Sequence, residues 1–116
     1  MTTRFDTSLL PHHRLRAYGV AVQLLTAVRE ARNRDRVLRD QALRAAKSAC
    51  LNCAEGAGRA TRGDKARAYT VARGEMVEAV AATEIAARSG EANPEAVPRV
   101  VALGNELCAM LTKLIR

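Results

Sequence analysis

The sequence predicts an all-α protein, specifically an antiparallel up-down-up-down four-helix bundle. The 116 residues are 48% hydrophobic but only 3% aromatic, so a core must be built mainly from Ala, Val and Leu. Such residues favour close-packed helices over a β-sandwich. Apolar residues recur at steps of three and four, which is the period of a buried helical face. The predicted helices are joined by short links, and 116 residues suit a single domain.

Capping residues place the ends of the predicted helices. A flexible arm over residues 1–11 is expected to precede one domain over residues 12–116. Asp35 and Thr61 are suitable N-caps for the second and third helices. Asn93 followed by Pro94 is typical of a helix start, so the fourth helix is predicted to begin there, with a start or a bend at Pro98 as the alternatives. The helices are then predicted at about 12–32, 36–57, 62–88 and 94–116.

Each predicted helix has one face whose spacing indicates burial. In chain order these faces comprise Leu15, Tyr18, Val22, Leu25 and Val28; Leu38, Ala42, Ala45, Ala49 and Cys53; Tyr69, Ala72, Met76, Val80 and Thr83; and Val97, Val100, Gly104, Leu107, Leu111 and Leu114.

Glycines and polar residues inside the helices need separate explanations. Gly19 disfavours the helical conformation of the first helix by roughly 1 kcal/mol relative to alanine. We therefore expect that a close contact with another helix requires glycine there. Gly56 and Gly58 are predicted to end the second helix in the left-handed conformation. Ser48 and Asn52 lie four residues apart and are expected to hydrogen-bond to the helix backbone or to each other.

The residues that could form a catalytic or metal site do not form a recognisable one. Cys50 and Cys53 lie inside a helix, far from an N-terminus that would lower a thiol pKa, so we interpret them as buried small side chains. A zinc or redox site that adds Cys108 is the alternative. A di-iron bundle needs two Glu-x-x-His motifs, but His12 and His13 are adjacent. We therefore predict a non-enzymatic protein without a cofactor or metal ion.

The charge is the most informative bulk property. The net charge is +7, and residues 1–73 carry fifteen Lys and Arg against six Asp and Glu, whereas residues 74–116 carry four against six. Sixteen of the nineteen cations are Arg, which suits bidentate phosphate contacts. No apolar run approaches the ~20 residues of a membrane span. Three cysteines and the lack of a recognisable signal peptide predict a cytoplasmic protein with reduced thiols.

Two motifs carry a resemblance to a known family. Arg44-Ala45-Ala46, Ser48, Asn52, Ala54-Glu55-Gly56, Gly58 and Arg59 form the first, and Ala72-Arg73-Gly74 with Glu78 forms the second. Together they resemble the four-helix bundle proteins encoded in intervening sequences of large-subunit ribosomal RNA. They are also similar to the accessory variability determinant proteins of diversity-generating retroelements. The resemblance implies a homopentamer, RNA binding and a reverse transcriptase or other nucleoprotein as a further partner.

The predicted function is binding of structured nucleic acid, with RNA expected, through an Arg-rich face. Aromatic residues are nearly absent, so contacts to phosphate rather than base stacking must supply the affinity. The alternative is a scaffold for an acidic protein partner that binds no nucleic acid. The candidate nucleic-acid-binding residues are Arg36, Arg39, Arg44, Lys47, Arg59, Arg62, Lys65 and Arg67.

Overall fold

The computed structural model describes residues 10–116 and confirms the all-α four-helix bundle. A short 3₁₀ helix at Pro11–Arg14 is followed by α1 (Arg16–Glu30), α2 (Arg36–Gly58), α3 (Arg62–Arg88), a 3₁₀ turn at Pro94–Ala96 and α4 (Val97–Ile115). Each helix packs on its neighbours in the chain, and α1 also packs on α4, which closes the bundle. Most of the predicted arm lies outside the described residues. Within residues 10–116 no helix is long and apolar enough to cross a bilayer.

The predicted N-caps are confirmed for three segments. The Asp35 carboxylate accepts a hydrogen bond from the Leu38 amide at 3.1 Å, and the Thr61 hydroxyl accepts one from the Asp64 amide at 3.1 Å. The Asn93 side chain likewise caps the 3₁₀ turn that leads into α4. The first helix starts later than predicted, because the chain is extended at Leu15 between the 3₁₀ helix and α1.

The predicted end of α2 near Gly56 and Gly58 is confirmed, but the predicted left-handed conformation is wrong. Gly56 and Gly58 both belong to the helix, and the chain leaves it through an extended Arg59 (φ −75°, ψ 152°). A Cβ on Gly56 would overlap the aromatic ring of Tyr69 on α3. Glycine is therefore needed at position 56 for the close approach of two helices, and no left-handed conformation is involved.

The predicted buried faces of α2, α3 and α4 are confirmed at most positions. Their buried members are Ala42, Ala45, Ala49 and Cys53; Tyr69, Ala72, Met76 and Thr83; and Val100, Gly104, Leu107 and Leu111. Leu38, Val80 and Val97 are partly buried, and Leu114 is exposed. Small residues line α2 and α3, so these two long helices approach each other closely.

The predicted buried face of α1 is only partly correct, because most of its members lie at the edge of the core. The helix buries Ala17, Val20, Ala21, Leu24, Ala27 and Val28. Of the predicted residues only Val28 is buried; Leu15, Tyr18 and Leu25 are partly buried, and Val22 is 40% exposed. The helix has apolar residues on several sides, and the side with more alanines faces the bundle because it allows closer packing. Gly19 is exposed, and a Cβ there would meet no described atom within 4 Å, so its predicted close contact is also wrong.

Candidate nucleic-acid interface

The turn between α1 and α2 has an unusual local structure. Arg32 has φ 50°, the only positive φ among the non-glycine residues of 10–116. The next residue, Asn33, is only 8% exposed, and its Oδ1 accepts a hydrogen bond from the Asp35 amide at 2.9 Å. Asp35 in turn caps α2. The left-handed residue therefore reverses the chain while Asn33 and Asp35 start the next helix.

The α1–α2 turn is joined to the α3–α4 turn at the same end of the bundle. The Arg34 amide donates to the Glu91 carbonyl at 2.6 Å, and the Asn93 amide donates to the Ala31 carbonyl at 2.9 Å. The Arg34 guanidinium also donates to the Gly90 carbonyl at 2.7 Å. These three hydrogen bonds hold the α1–α2 turn in one conformation.

A cleft of about 290 Å³ opens between α1, this turn and α2. We call it the basic cleft, and its lining residues are Val28, Arg29, Arg32, Asn33, Arg39, Ala42 and Leu43. Among the described residues, the lining includes three arginines and no carboxylate. Arg39 has a neighbouring acidic residue, Asp40, at 3.6 Å, and both side chains are exposed. Asn33 Nδ2 is buried and has no hydrogen-bond partner among residues 10–116.

The eight predicted binding residues do not form one patch. Arg36 and Arg39 lie near the α1–α2 turn, whereas Arg59, Arg62, Lys65 and Arg67 surround the α2–α3 turn. Arg44 and Lys47 lie between the two groups. Since α2 has 23 residues, its length of roughly 34 Å separates them.

Two of these cations are held in ion pairs on the α2–α3 side. The Arg44 guanidinium contacts the Glu78 carboxylate at 2.8 Å and that of Glu75 at 3.5 Å. Arg59 pairs with Glu55 at 2.8 Å one turn away on the chain. Their charge is therefore partly neutralised within the protein.

Two more cations bond to backbone carbonyls near the α2–α3 turn. Lys65 Nζ donates to the carbonyls of Gly56 and Ala57 at 3.2 and 2.9 Å, which satisfies acceptors at the C-terminal end of α2. Arg62 donates to the carbonyl oxygen of Arg116. These contacts join helix ends and give both side chains a structural role.

The remaining predicted cations are exposed, and most of them lie on the α1 side of α2. Arg36 and Lys47 are eleven residues apart, about three turns, so they share one side of the helix. Lys47 lies one turn beyond Leu43, which lines the basic cleft. Arg67, on α3, borders a different groove with Asn52 and Glu55. Arg36, Lys47 and Arg67 have no ion pair within the described part of the chain.

Arg29 and Arg32 were missing from the predicted site. The dense run of arginines from position 29 to 39 is a visible signal in the sequence. That Arg29 and Arg32 line the same cleft as Arg39, however, depends on the left-handed conformation of Arg32 and on which side of α1 faces α2. Neither feature has a clear local signal.

Buried cysteines and polar residues agree with the structural interpretation of the sequence. Burial raises the pKa of the Cys50 thiol to about 11 and that of Cys53 to about 12, so neither is a good nucleophile near neutral pH. Asn52 Nδ2 donates to the carbonyl and hydroxyl oxygens of Ser48 at 2.9 and 3.2 Å, as predicted. No group of three or more His, Cys, Asp or Glu residues in 10–116 could hold a metal ion.

Comparison with known proteins supplies the family. The family model for 23S rRNA-intervening sequence proteins matches residues 13–113, which cover almost the whole bundle. A search of curated proteins gave no match. The family match confirms the main resemblance suggested by the motifs in α2 and α3. The chain therefore belongs to the 23S rRNA-intervening sequence protein family.

Proposed function

We propose that the protein is a non-enzymatic, self-associating bundle that binds structured nucleic acid, with RNA as the favoured ligand. The observation that carries this proposal is a basic surface on α1, the α1–α2 turn and α2. It is made of Arg29, Arg32, Arg36, Arg39 and Lys47. All five side chains are exposed, and only Arg39 has a carboxylate within 4 Å among the described residues. Cations without an internal partner are available to phosphate groups.

The same surface indicates how binding would depend on salt and sequence. Five phosphate contacts to a duplex would give a slope of roughly −4.5 in a plot of log affinity against log salt concentration. Few aromatic side chains are available for stacking, so the shape and charge of the nucleic acid would matter more than its base sequence.

Self-association is supported by the outer surfaces of α2 and α3. Their exposed apolar side chains are Leu51 (70%), Val37 (67%), Ile85 (54%), Val77 (53%) and Val71 (45%). Apolar side chains this numerous on a small domain favour burial against another molecule. We propose the homopentamer that the family resemblance implies. In such a ring the basic surface recurs on each subunit, so modest individual contacts gain affinity by multivalency.

The resemblance of the sequence motifs to retroelement accessory proteins leads to a further proposed partner. A reverse transcriptase or another nucleoprotein would meet the basic surface through its bound nucleic acid. A scaffold for an acidic protein is the alternative, since exposed apolar residues such as Leu51 also suit a protein partner. The protein is proposed to act in the cytoplasm.

A matched pair of double variants tests the nucleic-acid proposal. Arg36→Ala with Lys47→Ala removes two cations of the basic surface, while Arg99→Ala with Lys113→Ala removes the same residue types from exposed positions of α4. Binding of an RNA hairpin is measured across a salt series, with helicity and oligomeric mass checked for each protein. We expect the first pair to reduce the salt slope by about 2 and the control pair to change it less. Equal effects, or no binding near physiological salt, would reject the proposal and favour the protein scaffold.

A further inference from the structure

The basic cleft combines features that point to a specific ligand chemistry. Its three arginines come from three different segments: Arg29 from α1, Arg32 from the turn and Arg39 from α2. None of the residues of 10–116 that line the cleft carries a carboxylate. Of the three guanidinium groups, only that of Arg39 has a carboxylate within 4 Å among residues 10–116, and guanidinium groups lining one cleft favour an anion with several acceptor oxygens.

A second observation is independent of these charges. Asn33 is 92% buried by area, and its amide nitrogen has no hydrogen-bond partner among residues 10–116. Its orientation is fixed by the hydrogen-bond network, because the Asp35 amide can donate only to the side-chain oxygen. A buried donor without an acceptor is destabilising. Asn33 lines the cleft, so a ligand oxygen that reaches its amide nitrogen would satisfy this donor.

The backbone at the cleft is also held in a costly conformation. The left-handed region is unfavourable for a residue such as Arg32, and glycine or asparagine adopts it more readily. The turn keeps this conformation because hydrogen bonds join it to the α3–α4 turn. A rigid turn fixes the start of the Arg32 side chain and the Asn33 amide before a ligand arrives, which reduces the entropy lost on binding.

We propose that the basic cleft is a binding site for a single phosphate group. Arg29, Arg32 and Arg39 supply the charge, and Asn33 Nδ2 supplies a neutral donor. The apolar floor of Val28, Ala42 and Leu43 would contact the carbon atoms of a sugar attached to that phosphate. If the phosphate belongs to RNA, the site rests on the proposed function and deepens it. If it belongs to a free phosphate compound, the site is independent of RNA.

Two variants remove the proposed contacts while preserving the turn. Arg32→Asn deletes the guanidinium and places a residue that tolerates φ 50°. Asn33→Asp keeps the oxygen that accepts from the Asp35 amide and replaces the free donor with a carboxylate oxygen, which repels phosphate. Arg99→Asn is the control, because it removes one exposed positive charge outside the cleft. Thermal unfolding confirms that each variant is folded.

Binding is followed through the side-chain amide resonances of Asn33 in ¹⁵N-labelled full-length protein. Inorganic phosphate, adenosine monophosphate and an RNA hairpin are titrated in turn. We expect at least one of these probes to shift the Asn33 resonances. Its affinity should fall about tenfold in Arg32→Asn, as for loss of a charge-assisted hydrogen bond. The Arg99→Asn control should change little, and Asn33→Asp should bind weakly by isothermal titration calorimetry.

The outcomes separate this site from the proposed function. Shifts with phosphate or the mononucleotide, together with equal RNA affinity in Arg32→Asn and Arg99→Asn, would support the site and assign it to a free phosphate compound. A specific loss of RNA affinity in Arg32→Asn would support the site and assign it to RNA. No shift with any probe, or equal effects of the cleft and control variants on every probe, would overturn the site. RNA binding that still depends on Arg36 and Lys47 would leave the proposed function intact in that case.

Discussion

Replacing Gly56 with alanine should destabilise the bundle even though alanine is the better helix former. The added methyl would overlap the ring of Tyr69, which is only 4% exposed and cannot swing freely into solvent. Overpacking of this kind costs about 1–3 kcal/mol, against a gain of up to about 1 kcal/mol in helix propensity. At the centre of these ranges we therefore expect a net loss of about 1 kcal/mol and a decrease in Tm of about 4 °C.

The matched control is Gly19→Ala, where no described atom lies within 4 Å of the added Cβ. This variant should gain about 0.5–1 kcal/mol. Circular dichroism during thermal and urea unfolding, at one protomer concentration, measures both changes. Gly56→Ala should also be less harmful in a Tyr69→Leu background, because the two sites are coupled. A Gly56→Ala protein as stable as Gly19→Ala would refute the explanation from helix approach.

Three further predictions concern stability. Lys65→Met should destabilise the protein by about 1–2 kcal/mol in urea unfolding, because the carbonyls at the C-terminal end of α2 lose a charged donor; an unchanged midpoint would contradict this. Asp35→Ala should cost about 1 kcal/mol through loss of the N-cap of α2, while Asp35→Asn should retain most of the stability. The pKa values of the Cys50 and Cys53 thiols are raised from 9.0 to about 11 and 12, so their stabilising contribution is present below pH 9 and is lost as the pH rises towards those values. The free energy of unfolding should fall over this range, and Cys50→Ala should make the fall less steep.

Local signals in the sequence were enough to predict much of the fold. Asp35 and Thr61 cap their helices through bonds to residues three positions away, so the information lies within one turn. The spacing of Leu107 and Leu111 likewise identified the buried side of α4. Such features depend on the helix itself and hardly on its neighbours.

The predictions that were wrong concern features that depend on contacts between helices or on an unusual backbone conformation. Gly56 is explained by Tyr69, thirteen residues away on another helix, and the conformation of Gly56 itself is ordinary. The side of α1 that is buried depends on the alanine-rich surface against which the helix packs. This surface favours burial of Ala17 and Ala21 over burial of the larger Tyr18. In the candidate site, the position of Arg32 relative to Arg39 depends on a backbone conformation that arginine seldom adopts.

The hydrogen bonds between the two turns have a consequence for how the bundle opens. Arg34 of the α1–α2 turn donates a hydrogen bond to Glu91 of the α3–α4 turn. In the other direction, the Asn93 amide of the α3–α4 turn donates to the Ala31 carbonyl at the end of α1. Neither turn can leave its position without breaking the hydrogen bonds that join it to the other turn. We therefore expect the two turns to open together in one cooperative step. Fraying at this end is thus suppressed for four helix termini at once, and a ligand that secures one turn secures the other as well.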